Sequence, residues 1–417
     1  MTHSRITRAA AIAVVVLLAL AACSSKNGAK KSAAKHRLTL RVGLVYTTSG
    51  DGGDLAQAVL GATKLAADDA AKDKVAISFV QGDYAGQPGL IAKTVNSLKG
   101  KVDAVVVGTP DPAVLPPLAG ITGVPVIHTL IGNDDLTRRS NVFSLTPSDN
   151  LEAEKMAAYL VKVRKYRRIV LISDTTTFGK TGKTVIENAL RDAGRAPLRS
   201  LTFEPGGDIH TDVSEAGQLN ADAVILWVFS PSEASRIVVE VQHMNFSYQL
   251  VLSGNLATAT FAKNASAQVT PVAFRDGMLS VGPWAGPWFD LRRIIGFYTR
   301  FQTENSAQAP VQAAAMYDAV AVLAKAARDK GAVDGQDLIA GLEGIKNFEG
   351  AGVPVSFDAN DHEGIALDDL GMYGYTKDQE SMGGHYFPDV DTGGGFFTID
   401  MSSLDLPAKY RFLLSKV

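Results

Sequence analysis

LRVGLVYTTSGDGGDLAQAVLGATKLAADDAAKDKVAISFV spans residues 40–80 and holds one strand–helix–strand unit. Its two ends, LRVGLVY (40–46) and VAISFV (75–80), are nearly continuous in apolar residues. That is the pattern of parallel strands covered on both faces, not of strands with one wet face. Between them, residues 54–72 place Leu55, Val59, Ala62 and Leu65 on one helical face. A helix over 88–99 and two more apolar strands, DAVVVG (103–108) and VPVIHT (124–129), continue the alternation. Strands alternating with helices predict a doubly wound α/β domain.

Further along, the pattern restarts. VFSLTPSDN (142–150) leads into a helix at 151–165, then come the strand RRIVLIS (167–173) and a helix at 179–193. PLRSLTF (197–203), DAVILWV (222–228) and YQLVLS (248–253) read as strands, with a helix at 231–244. This second α/β unit repeats the architecture of the first, not its sequence. After GMLSVGPW (277–284), helices are expected at about 287–304, 311–329 and 335–343. PVSFDANDHEG (354–364) and LGMYGYT (370–376) read as a turn between two strands, and the Gly-, Asp- and aromatic-rich last forty residues carry no assignment.

The N-terminal segment has a different character. Arg5 and Arg8 precede an uninterrupted apolar run, Ala9 to Leu20, followed by Leu20-Ala21-Ala22-Cys23. A basic start, a short apolar core and a small-residue cleavage site describe a secretory signal, and the run falls short of the ~20 apolar residues that span a bilayer. The last four residues resemble a bacterial lipobox, with lipidation expected on Cys23, the only cysteine. An ordinary signal peptide with an incidental cysteine is the alternative. One thiol cannot pair within the chain, so the fold must hold without disulfides. SSKNGAKKSAAKHR (24–37) lacks large apolar side chains and reads as a flexible tether. Its cations suit an anionic lipid surface and equally a solvated linker.

The formal net charge of the whole chain is −2. Without the signal the body is mildly acidic, which argues against a nucleic-acid protein. No other run is long and apolar enough for a transmembrane helix.

The order of elements and several motifs resemble the type I periplasmic binding proteins, in particular the leucine/isoleucine/valine-binding group that serves ABC importers. The residues that carry the resemblance begin with VGLVYTTSGDGGD (42–54), FVQGDYAGQPGLIAKTVNSL (79–98) and VPVIHTLIGNDDLT (124–137). They continue with VFSLTPSDNLEAEKMAAYL (142–160), VLISDTTTFGKTG (170–182), AAMYDAVAVLAKA (314–326) and VSFDANDHEG (355–364). The resemblance implies two doubly wound α/β lobes joined by a three-crossover hinge, with a solute held between them and hinge closure around it. The implied organisation is a lipoprotein signal peptide at 1–22 and a lipidated tether at 23–37. Lobe 1 follows at 38–146 and lobe 2 at 147–281. Lobe 1 resumes at 282–352, and residues 353–417 give the lobe 2 return strands and a tail.

The same resemblance places the ligand-binding residues. Ser49 lies in the loop after the first strand. The loop after the third strand is Gly108-Thr109-Pro110-Asp111-Pro112, without the family's run of small hydroxyl residues. Its prolines lack N–H groups. Asp111 either faces the ligand, repelling a carboxylate, or caps the following helix. Ile131 and Gly132 stand where the family has a small residue and then a threonine, with Asn133 as a possible amide donor. In the second lobe Phe178, followed by Gly179, provides an aromatic cover, and Phe229 and Asn255 occupy two further cleft positions. Relatives often carry an acid near Asn255; this chain has none there.

Catalytic signatures are missing from the sequence: no G-x-S-x-G, H-E-x-x-H, P-loop or G-x-G-x-x-G. His128 ends a strand beside the expected cleft, either as a ligand contact or as a satisfied core histidine. Asp389 to Gly394 starts like a calcium loop but has Gly at its fifth position and Asp400 at its twelfth, so a Gly-rich turn is expected and no metal or cofactor. The expected function is a monomeric, lipid-anchored binding component on the extracytoplasmic face of the cell membrane. It would deliver a small polar solute, such as an amino acid or amide, to an ABC permease. A sensor feeding a membrane receptor, or a lipid-anchored enzyme, are the alternatives.

Overall fold

The computed structural model describes residues 37–50, 53–132, 139–246, 248–256, 261, 264–265, 278–282, 291–306, 312–376 and 395–398. Strands β1 (Leu38–Tyr46), β2 (Val75–Asp83), β3 (Ala104–Val107), β4 (Val126–His128) and β5 (Val142–Ser144) form one sheet in the order β2-β1-β3-β4-β5. Every pairing in it is parallel. The sheet is covered on both faces, as its apolar runs require. Val45, Val105, Val107 and Val126 pack with Ile91, Val95 and Leu98 of helix α2 (Pro88–Leu98). Leu44, Val106 and Ile127 pack on the other side with Val59, Ala62 and Leu65 of helix α1 (Ala56–Lys72).

The second sheet contains β6 (Ile169–Asp174), β7 (Arg199–Phe203), β8 (Ala223–Trp227), β9 (Gln249–Leu252), β10 (Met278–Gly282), β11 (Gly371–Thr376) and β12 (Gly395–Thr398). Its order is β12-β11-β10-β9-β8-β6-β7. β6 to β10 pair in parallel, and β11 and β12 close one edge antiparallel. Leu171, Ile225, Trp227 and Val251 bury one face beneath helix α3 (Asp149–Ala158) and helix α4 (Thr177–Asp192). The other face, with Ile172, Val224 and Leu226, meets helix α5 (His210–Gln218) and helix α6 (Pro231–His243).

Three segments cross between the lobes. The first runs from β5 to α3. The second runs from β10 to helix α7 (Leu291–Asn305) and helix α8 (Ala313–Lys330), which lies against α1; the third follows helix α9 (Gly335–Leu342) to β11. The first and third are tied together. Ser144 N donates to His362 O and Gly364 N to Ser144 O, each at 2.9 Å, and Ser148 N donates to Glu363 Oε1 at 2.6 Å. α8 ends on Gly331 at φ +69°, a left-handed position that suits glycine.

Two expectations need correction. The first half of 354–364 is no strand: its one ladder-type pairing is an isolated bridge between Val355 and Phe348, and a second isolated bridge, Glu363 to Ser144, lies beyond the turn. Asp358 explains this locally, because its Oδ1 accepts from Asn360 N and Asp361 N and so curls the backbone away from a ladder. Helix α5 has no counterpart among the helices expected from the sequence, although Asp208 signals it by accepting from His210 N at 2.9 Å and Thr211 Oγ at 3.0 Å. Among the described residues, no helix is long and apolar enough to cross a membrane. Cys23, residues 24–36 of the tether and the Asp389 turn lie outside the described residues.

Candidate functional site

The parallel strands of both sheets end towards a common cleft of about 500 Å³, counting its open side. Lobe 1 lines it with Pro110, Leu115, Leu130, Ile131 and Gly132. Asp149, at the start of α3, lines its hinge end. Thr177, Phe178, Thr181, Phe229 and Asn255 supply the lobe 2 wall. Five of the sequence-expected residues therefore meet here: Ile131, Gly132, Phe178, Phe229 and Asn255.

The lobe 2 wall is built around Asp174, the buried last residue of β6. Its Oδ1 accepts from Thr176 N at 3.0 Å and from Thr176 Oγ, and its Oδ2 accepts from Phe229 N at 2.6 Å. One carboxylate thus joins the start of α4 to the loop after β8. Thr176 caps α4 in turn by accepting from Gly179 N at 3.1 Å. Only glycine fits at 179, since a Cβ there would lie 2.1 Å from Asp174 O. Phe178 stacks on Trp227, with centroids 5.5 Å apart and planes at 17°, and tilts against Phe229 at 6.1 Å. Gly182 makes room for the indole, because a Cβ there would meet Trp227 Nε1 at 1.8 Å.

Asn255 is a brace as well as a lining residue. Its Nδ2 donates to Val228 O and Phe229 O, both at 3.1 Å, and its Oδ1 accepts from Ser253 Oγ at 2.6 Å. Its neighbour Gly254 donates its N–H to Glu152 Oε2 at 3.0 Å. Burial pushes the Glu152 carboxyl up to about 8, against the pull of that N–H, so it is mostly protonated at neutral pH.

On lobe 1, Thr109 is buried and turned from the cleft: its Oγ shares a 2.6 Å hydrogen bond with Tyr84 OH and accepts from Asp111 N at 3.2 Å. Burial pushes the Tyr84 phenol up to about 12. Asp111 is not among the lining residues; its Oδ1 accepts from Ala113 N at 2.9 Å, the helix-capping arrangement. Ser49 is exposed and also outside the lining, its N–H directed at Thr47 Oγ, 3.3 Å away. Gly132 stands at the expected threonine position, where a Cβ would meet Asp149 Oδ1 and lie 3.1 Å from Asp149 N and Pro147 O, so a side chain there requires Asp149 to shift. Asn133 falls outside the described residues. His128 is buried with neither ring nitrogen in a regular hydrogen bond, and burial lowers it to about 4, so it is neutral and lies outside the lining.

Asp149, Asp174, Thr177 and Thr181 are site residues that the sequence motifs do not single out. The first carries a usable signal, an acid one residue after the helix-capping Ser148. Thr177 and Thr181 are one helical turn apart and so share a face. Among the described residues no group of three or more His, Cys, Asp or Glu side chains is placed to hold a metal ion.

The profile of the family described as "Periplasmic binding protein" matches residues 39–373. A curated relative, the Leu/Ile/Val-binding protein homolog 3 of Brucella melitensis, is 28% identical over 139 residues. That match covers 32% of this chain and 37% of the relative's length. Among solved structures, the ABC transporter substrate-binding protein from Sphaerobacter thermophilus superposes with a TM-score of 0.72 at 19% identity, over 87% of this chain and 97% of that one. The branched-chain amino acid transporter substrate-binding protein LivJ from Streptococcus pneumoniae, in complex with isoleucine, gives 0.69 at 20% identity, over 87% and 99%. At such identities these two likenesses establish the fold.

Proposed function

The chain belongs to the periplasmic binding protein family, in its type I form, and on that premise we propose that it is the substrate-binding protein of an ABC importer, held by a lipid on Cys23 at the extracytoplasmic face of the membrane. It takes up a small solute of the amino acid or amide class, binds it reversibly and hands it to a permease without altering it. One observation carries this reading: a single cleft receives residues from the strand ends of both lobes and from the hinge between them. Such a cleft can close by bending three crossovers while each sheet stays rigid.

The test is a thermal-shift screen of the purified protein against amino acids, amides and other small metabolites, followed by small-angle scattering with any hit. A cognate solute at a hundredfold its Kd adds about 2.7 kcal/mol of stability. It should also reduce the radius of gyration. A hit that is chemically converted, or that leaves the radius unchanged at saturation, would overturn the reading.

A further inference from the structure

The first and third crossovers meet at one histidine, His362, which lies away from the cleft. It is 3% exposed, and its ring stacks on Phe143 of β5, with centroids 4.0 Å apart and planes at 19°. Its backbone belongs to the third crossover, where His362 O accepts from Ser144 N of the first at 2.9 Å. Its side chain reaches back to lobe 1. Nδ1 faces Val142 O at 3.0 Å and Arg139 O at 3.2 Å, and Nε2 faces Glu343 Oε1 at 3.4 Å, at the end of α9. The chain thus passes Glu343, runs through 344–361 and is brought back to Glu343 by the ring of His362.

The neighbours of the ring decide which of its atoms must carry protons. A carbonyl oxygen only accepts, so Nδ1 carries a hydrogen in either charge state. A neutral ring then turns the Nε2 lone pair towards a carboxylate oxygen, acceptor against acceptor. A charged ring donates from both nitrogens and gains an ion pair with Glu343. Nε2 is itself buried, so solvent does not relieve the mismatch of the neutral ring.

The other charged groups nearby are engaged elsewhere. Arg139 directs its guanidinium to Ala119 O at 3.3 Å. Asp361 and Glu363, on either side of His362, accept from Glu363 N at 2.9 Å and from Ser148 N at 2.6 Å. Lys346, three residues after Glu343, donates to Phe357 O at 2.7 Å and lies 3.7 Å from Asp358. Among the described residues, the ion-pair partner of Glu343 is His362.

We propose that His362 and Glu343 form a proton-dependent latch on the hinge. With the ring charged, the third crossover is fixed to lobe 1, and the first with it through the hydrogen bonds of Ser144 to His362 and Gly364. With the ring neutral, that hold is weakened. Histidine is the side chain whose charge ordinarily changes between about pH 5 and 8, so the firmness of the hinge follows pH in that window. Lobe closure bends these crossovers, and a segment already ordered loses less freedom on closing. Given the solute-binding role proposed above, the solute is therefore held more tightly on the acid side.

Hydrogen–deuterium exchange of the ligand-free protein at about pH 5.5 and about pH 8, corrected for the intrinsic pH dependence of exchange, tests the latch across the histidine window. Peptides covering 139–148 and 356–366 should be about fivefold more protected on the acid side, the low end of coupling between sites, and peptides from β6 and β8 should not change. Glu343→Gln should abolish the difference, because the introduced amide can turn to accept from the charged ring or donate to the neutral one. His362→Gln should abolish it too; if that variant fails to fold, Glu343→Gln decides. Nitrogen NMR of histidine-labelled protein should show the His362 ring passing from the charged form to the neutral form with its hydrogen on Nδ1. A ring that keeps one charge state throughout, a neutral ring with its hydrogen on Nε2, or an undiminished pH difference in Glu343→Gln overturns the latch. None of these readouts needs a solute, so their failure leaves solute binding intact. With any solute found by the thermal-shift screen, affinity should fall about fivefold from the acid to the alkaline side and stay level in Glu343→Gln; the same fall in both proteins, or in neither, overturns the link between latch and closure.

Discussion

Replacing Asp174 by Asn tests how the second wall is held. The carboxylate accepts from Thr176 N and Thr176 Oγ on one oxygen and from Phe229 N on the other, at a site only 1% exposed. An Asn side chain has one acceptor oxygen and one NH2. If the oxygen faces Thr176, the NH2 meets the Phe229 N–H across the present 2.6 Å contact, donor against donor. Turning the amide moves the same conflict to Thr176. One charge-assisted bond, about 1.5–3 kcal/mol, is lost and a buried donor is left unmet, at a further cost of about 1–3 kcal/mol. Because the two overlap, the expected loss is about 3 kcal/mol. For a lobe of some 150–250 residues, 1 kcal/mol moves Tm by about 2–4 °C, so the melting temperature should fall by about 6–12 °C. Affinity for a confirmed ligand should fall as well, about tenfold, since the α4 start and the Phe229 loop lose their common anchor. Circular-dichroism melting and calorimetric titration measure the two. A Tm within 2 °C of the unmodified protein, with unchanged affinity, would refute the role assigned to Asp174.

Glu152→Gln probes a buried acid. The folded-state pKa of about 8 lies above the unfolded value, so the contribution of Glu152 to stability is full below about pH 4.3 and is lost as pH rises through 8. In paired denaturation curves the Glu152→Gln variant should therefore gain on the unmodified protein between about pH 5 and 8 and then level off; a constant difference across that window would contradict it. Gly132→Thr should lower Tm without creating affinity for leucine, because its Cβ meets Asp149 and requires it to shift; new amino acid binding would show that the hydroxyl alone was missing. Asp111→Asn should leave ligand affinity within about twofold, since Asn caps a helix about as well as Asp; a tenfold loss in calorimetry would put Asp111 in the cleft after all. Cys23→Ser should move the protein from the membrane fraction to the soluble one, and a variant that stays bound would refute lipid anchoring.

The division between what is legible in the sequence and what is not follows the range of the interactions. Runs such as DAVVVG and DAVILWV announce buried parallel strands because period and apolarity are local properties, and the alternation of such runs with helices leaves few topologies open. The unexpected helix α5 and the mistaken strand at 354–364 both turn on single Asp side chains, Asp208 and Asp358, whose choice of backbone partners overrides the apolar pattern around them. Phe178 can be found in advance since the glycine after it marks a tight helix start. Asp174 cannot, because its partner Phe229 is 55 residues away.

By itself, then, the sequence determined two α/β lobes, a segment with the character of a lipoprotein signal, and the loops that meet at the cleft. Only the tertiary structure decided what those loops can do. Thr109 has a hydroxyl in any reading of the sequence, but it is unavailable once Tyr84 lies 2.6 Å away. Asn255 is an amide donor on paper, yet both its hydrogens are held by the loop it braces. Gly132 reads as a missing threonine until Asp149 is seen to fill the space where one would stand. Residue type states which hydrogen bonds a side chain can make, whereas availability to a ligand depends on which are already made, and those partners are brought together only by folding.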